Sequence, residues 1–284
     1  MEYTDVITER ELKFKIEDLK NQISSNKNSE ILQTILNLID LTSLSGDDTI
    51  ENIKSMTEKV NNFNDKFPKY KNVAAICVYP ALVETVKKNI TVNNINIAAV
   101  GAGFPASQTF LSIKLAECKL CINKGADEID IVISIGRFLS ENYDFIAKEV
   151  ALIKQVIGDK HLKVILETGN LKTLKNIKIA SILAIESGAD FIKTSTGKTD
   201  ISATPEAVYV MCQTIKEYFE KTGIKIGIKP SGGIRTADEA ILYFLIVKNV
   251  LGKDWLNNKL FRFGASSLAN NILSELENTP IKYF

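Results

Sequence analysis

Short runs of Val, Ile and Leu recur along the chain, separated by longer stretches whose apolar residues fall at helical spacing. Eight runs stand out: Leu36 to Leu41, Val73 to Val78, Ile95 to Val100, Glu128 to Ile133, Lys163 to Glu167, Phe191 to Thr194, Lys225 to Lys229 and Leu260 to Phe263. Such continuous apolar runs predict parallel strands covered by helices, because every parallel crossover needs a dozen or more residues. The stretches between them carry helix punctuation. Leu174, Ile177, Ala180 and Ala184 line one helical face before Gly188 ends it. Thr204, Pro205 and Glu206 read as an N-cap, a first helical position and an acidic first turn, and Thr236 with Glu239 reads as a capping box.

Eight strands alternating with helices over about 250 residues predict an α/β fold of the (β/α)8 TIM-barrel type, formed by residues 31–284, ahead of an open doubly wound sheet. Residues 1–30 read as an N-terminal helical extension: a charged helix, then a polar Ser-Ser-Asn-Lys-Asn-Ser linker, placed against the outside of the barrel. The tripeptide Gly-Ala-Asp occurs at 125–127 and again at 188–190, each time between a helix and a strand.

Composition narrows the function. With 35 basic and 34 acidic side chains and no dense basic run, the chain lacks the field that nucleic acid or an anionic membrane would need. The longest wholly apolar run, Ala240 to Val247, is far shorter than the roughly 20 residues that span a bilayer. Glu2, Asp5 and Glu9 leave no signal or transit peptide at the start, so a cytoplasmic location is expected. The cysteines Cys77, Cys118, Cys121 and Cys212 are too few for a disulfide scaffold and are expected to be reduced. Cys118 and Cys121 have metal-ligand spacing, but no second pair completes a zinc site, and both fit the face of a helix after Ser112. The lone His161 has no triad signature around it. Gly101-Ala102-Gly103-Phe104-Pro105-Ala106 formally matches a dinucleotide fingerprint, but Pro105 removes a backbone donor and no acid ends the next strand. Metal and cofactor are therefore both expected to be absent.

In a barrel of this type the chemistry sits at the C-terminal ends of the strands. Lys193 ends the sixth run and Lys229 the seventh. Desolvation and a neighbouring cation both disfavour an ammonium, so one of two adjacent strand-end lysines can become a neutral amine that attacks carbonyls. The plainer alternative is that their stems cover apolar surface while the heads reach solvent. Glu128 and Asp130 share one face of the fourth run, and an inward Asp130 would supply an ionised carboxylate for proton transfer. A solvated acid at the strand start is the plainer alternative, plausible for Glu128 and less so for Asp130, which lies between Ile129 and Ile131. Asp40 is a similar isolated acid in the first run and a supporting candidate. Three loops have the composition of a phosphate cup: Gly197-Lys198, Gly232-Gly233 after Ser231, and Ser266-Ser267 opening the last helix.

The segments Gly-Ala-Asp-Glu-Ile-Asp ending at Asp130, Lys-Val-Ile-Leu-Glu-Thr-Gly ending at Gly169, and Phe-Ile-Lys-Thr-Ser-Thr-Gly-Lys ending at Lys198 resemble deoxyribose-phosphate aldolases. So do Ala-Thr-Pro-Glu at 203–206, Lys229 to Thr236, and Arg-Phe-Gly-Ala-Ser-Ser-Leu ending at Leu268, a likeness running from about Leu38 to the last helix. The resemblance implies a class I aldolase that reversibly cleaves 2-deoxy-D-ribose 5-phosphate to D-glyceraldehyde 3-phosphate and acetaldehyde in deoxyribonucleoside catabolism, without metal or cofactor. It assigns the Schiff base to Lys193, proton relay to Lys229 and Asp130, and a wall of the aldehyde site to Cys77. Some family members end in a tyrosine that assists proton transfer, whereas here Phe284 follows Tyr283. The partners implied are a phosphosugar and aldehydes, and the sequence leaves room for a homodimer without requiring one. A catalytically silent phosphate-binding barrel would keep the loops and lose a lysine; a Schiff-base aldolase for another sugar phosphate would differ in its donor.

Overall fold

Eight short strands form one wholly parallel sheet in the computed structural model, which describes residues 6–284. They are β1 (Ile39–Thr42), β2 (Ala75–Val78), β3 (Asn96–Gly101), β4 (Glu128–Val132), β5 (His161–Ile165), β6 (Phe191–Lys193), β7 (Gly227–Lys229) and β8 (Phe263–Ala265). Sequential strands are neighbours, and β1 pairs with β8. The circle closes where the Arg262 N–H donates to Ile228 O at 3.0 Å and the Gly264 N–H donates to Pro230 O at 2.9 Å. This is a (β/α)8 barrel, as the alternation of apolar runs predicts, and every predicted run overlaps its strand. Most edges agree within two residues, and two strands start three residues later than their runs. Leu36 completes the last turn of the helix Ser29–Asn37, and the eighth strand begins at Phe263, three residues later than its apolar run.

The outer helices start where the caps predict. Thr204 accepts from the Ala207 N–H, and Thr236 and Glu239 form a reciprocal capping box. Both Gly-Ala-Asp repeats perform one task. The Asp127 carboxylate accepts from the Ile97 N–H at 3.0 Å and the Asp190 carboxylate from the Leu162 N–H at 2.7 Å. Each clamps the start of the preceding strand at the N-terminal end of the barrel. Within the lumen, a Cβ on Gly227 would stand 2.3 Å from the Phe191 ring, so glycine is what lets that ring fill the barrel between β6 and β7.

The leading segment is a helix over Glu9–Asn21 that buries Leu12, Ile16 and Leu19 against the outer helices Pro205–Thr222 and Ala237–Leu251. Residues 1–5 of the expected extension, with Glu2 and Asp5, lie outside the described residues. The polar stretch after that helix is more ordered than its composition predicts. Ile23–Asn26 makes a further helical turn, and the Asn28 side chain caps Ser29–Asn37 by accepting from the Ile31 N–H, a free backbone donor at the helix start. Cys118 and Cys121 are buried on the helix Leu111–Asn123, as small apolar residues would be. The glycine-rich run after β3 opens no helix directly, since the next begins only at Leu111. Among the described residues no helix is long and apolar enough to cross a membrane.

Candidate active site

Side-chain alternation aims Asp40 of β1, Glu128 and Asp130 of β4, Lys163 of β5, Lys193 of β6 and Lys229 of β7 into the lumen, where all are buried. Arg262, just before β8, joins them. Lys193 and Lys229 are register partners at the last positions of adjacent strands, which brings their amines to one point. Each donates to Oδ2 of Asp130 at 2.8 Å, while Lys163 donates to Oδ1 at 2.8 Å. Lys229 also donates to Asp40. Deeper in the barrel, Arg262 bridges Asp40 at 2.6 Å and Glu128 at 2.9 Å, and Lys163 pairs with Glu128 at 2.5 Å.

Four cations and three carboxylates thus share a space without bulk water, and position decides each proton affinity. Burial is the largest influence on Lys193 and pulls its amine below the ordinary lysine value; the adjacent Lys229 cation adds to that, and Asp130 only partly offsets it. Burial also works against charge on Lys229, but Asp130 and Asp40 outweigh it and hold its ammonium above the ordinary value. Burial likewise opposes ionisation of Asp130, yet Lys163, Lys193 and Lys229 together hold its carboxyl well below the carboxylate range. The site therefore contains an amine that gives up its proton more readily than an ordinary lysine, beside one that keeps it more firmly and an anion that remains charged. Cys77 lines the lumen among Leu44, Ala75, Ala98 and Val100, and burial pushes its thiol up, so it is an apolar wall and not a thiolate.

The three polar loops lie at the C-terminal rim. Gly197 and Gly232 both have positive φ, and a Cβ on Gly232 would approach the Gly197 Cα to 3.1 Å, so these two turns lie against each other. Gly233 continues the second turn, also at positive φ. Lys198 reaches from the first loop to donate to Leu44 O after β1. Ser266 and Ser267 stand exposed before the helix Leu268–Glu277, with Ser267 at its N-cap.

Of the two readings of Glu128, the buried one holds. It is a fully buried partner of Lys163 and Arg262, because strand alternation aims it inward with Asp130. Lys163 and Arg262 were missed as members of the cluster, although each is a lone cation in an apolar run, the same signal that singles out Lys193. Glu167 was missed because nothing in sequence reveals its left-handed backbone, φ 54° and ψ 60°, or the loop its carboxylate holds. His161 sits half-exposed at the start of β5, 3.5 Å from Glu128, away from the reactive end. Tyr283 is docked on Phe63, Phe67 and Phe284 with its hydroxyl donating to Lys59 O, and not beside the lysines.

A parallel barrel with a buried charge cluster at its C-terminal strand ends is the architecture of a barrel enzyme. The DeoC/LacD aldolase family matches residues 34–270, and the chain belongs to it. It is an aldolase, and so a lyase. The human deoxyribose-phosphate aldolase is 43% identical over 247 residues, covering 82% of this chain and 77% of the human one, and the mouse enzyme of that name matches equally. Among solved structures, the tetrameric deoxyribose phosphate aldolase of Aeropyrum pernix superposes with a TM-score of 0.68 over 91% of this chain and 97% of its own. At 23% identity it speaks for the fold alone.

Proposed function

We propose that this aldolase reversibly cleaves 2-deoxy-D-ribose 5-phosphate to acetaldehyde and D-glyceraldehyde 3-phosphate through a Schiff base on Lys193. One observation carries the proposal: the amine of lowered proton affinity on Lys193 shares Asp130 Oδ2 with the firmly protonated Lys229, each at 2.8 Å. A neutral amine, a retained acid and a fixed carboxylate are the groups that imine formation and enamine chemistry require.

The neutral Lys193 amine adds to C1 of the open-chain sugar, and loss of water leaves an iminium. Removal of the C3 hydroxyl proton turns that oxygen into the carbonyl of glyceraldehyde 3-phosphate as the C2–C3 bond breaks. The bonding pair flows into the iminium to give an enamine. Protonation at C2 and attack of water on the resulting iminium release acetaldehyde and return the amine. Asp130 and Lys229 handle these protons through water, with Asp40 holding Lys229 in place. The iminium is itself the electron sink, so the sequence of steps needs neither metal nor cofactor. Backbone N–H groups at Gly197 and the Gly232-Gly233 turn and the Lys198 ammonium, with the Ser266 and Ser267 hydroxyls, would hold the phosphate so that only the far end of the sugar reacts. Cys77 walls the acetaldehyde side. The resemblance of the sequence to deoxyribose-phosphate aldolases, together with relatives of that name, supports this substrate.

Borohydride reduction with 2-deoxyribose 5-phosphate present, followed by peptide mass spectrometry, tests the mechanism. A substrate-dependent adduct on Lys193 is expected. An adduct on Lys229 would exchange the two lysine roles, and an unmodified protein would end the Schiff-base reading.

A further inference from the structure

The loop after β6 is built around a buried carboxylate that the proposed chemistry does not use. Glu167 follows β5 in a left-handed conformation, φ 54° and ψ 60°, which a side-chain-bearing residue adopts only where its surroundings enforce it. The backbone on either side is held to β6: the Leu166 N–H donates to Lys193 O at 2.9 Å and the Thr168 N–H to Thr194 O at 3.0 Å. This twist aims the side chain beneath the next loop. Among the described residues its carboxylate partners all come from that loop. The Thr196 N–H donates at 3.2 Å, the Thr196 hydroxyl at 2.5 Å and the Thr199 hydroxyl at 3.4 Å. The Thr196 hydroxyl in turn accepts from the Lys198 N–H at 3.0 Å.

We infer that Glu167 is a positioning residue for phosphate recognition, acting through Thr196 to hold the Gly197-Lys198 turn in its anion-binding shape. The inference rests on the proposed phosphate cup. A hydroxyl that donates to a carboxylate is polarised and becomes a better acceptor, so the Glu167–Thr196–Lys198 chain stiffens the turn from below. The turn it fixes is the one against which Gly232 packs, so displacing it would loosen both sides of the cup. Lys193 lies on the same strand but is held by its own ladder and by Asp130, so the imine end is independent of the Thr196 contact.

Two variants separate positioning from folding. Glu167→Gly relieves the left-handed backbone while removing the carboxylate, so it is expected to fold. Glu167→Gln keeps one acceptor oxygen. With 2-deoxyribose 5-phosphate, Glu167→Gly is expected to raise KM about tenfold or more while kcat falls less than about threefold, with Glu167→Gln intermediate. Cleavage of unphosphorylated 2-deoxyribose should change little. Equal losses on both sugars, or an unchanged KM for the phosphorylated one, would overturn the role. Inorganic phosphate binding, read by calorimetry on wild type and Glu167→Gly, tests the cup without turnover: weaker binding in the variant supports the inference and equal binding refutes it. A wild type that binds phosphate but cleaves neither sugar would refute the proposed reaction instead.

Discussion

Lys193 and Lys229 share one carboxylate oxygen, yet their proton affinities move in opposite directions. Lys229 has Asp40 as a second anion, whereas Lys193 has Asp130 alone and a cation beside it. If the reactive form is the neutral amine, kcat/KM rises with pH through the Lys193 value, which lies below the ordinary lysine value near 10.4. Removing the neighbouring cation in Lys229→Leu raises that value, so the acid limb of the pH profile should move to higher pH while kcat also falls. A limb that stays in place would mean burial alone lowers Lys193. The candidate lysines and Asp130 are legible as polar residues within or at the ends of apolar strands. Glu128 stays open between buried and solvated in the sequence because a strand-start position says nothing about the cation that Arg262 brings from the far side of the barrel.

At the scale of the element, strand spacing depends on side chains that are absent as much as on those present. Gly227 leaves room for the Phe191 ring two residues before Lys229, where a Cβ would be 2.3 Å away. Gly227→Ala must push β7 or rotate Phe191, and overpacking of this kind costs about 1–3 kcal/mol. Urea denaturation should register that loss, and turnover should fall with it because Lys229 shares the displaced strand; unchanged stability would mean the ring rotates freely. Helix starts at Thr204 and Thr236 could be read ahead because a cap is local in sequence. The helical turn at Ile23–Asn26 could not, since its polar residues are equally compatible with a linker.

The whole barrel gathers three carboxylates and four cations that lie far apart in sequence. Asp130 and Glu128 are held well below the values they would have unfolded, where carboxyls titrate near pH 4. Their contribution to stability is complete above that pH and is lost as pH falls through the lowered folded values, since the unfolded chain then binds more protons. Urea midpoints should therefore hold steady from about pH 7 to 5 and fall steeply below about pH 4. Glu128→Gln should start lower and fall less; a parallel acid profile in that variant would place the acid sensitivity elsewhere.

The alternation of strand and helix, the placing of Asp130, Lys193 and Lys229 within or at the ends of apolar strands, and the glycine- and serine-rich composition of the rim loops are all legible along the chain. Periodicity, capping and turn preference are properties of neighbouring residues, so they can be read along the chain. It takes the folded barrel to turn Asp130, Lys193 and Lys229 inward, to complete the charge cluster with Lys163 and Arg262, to lay Glu167 beneath the loop after β6 and to pack Tyr283 among phenylalanines. Those contacts are made by the closure and register of the barrel, which bring Asp40 and Arg262 within 2.6 Å across more than two hundred residues of chain.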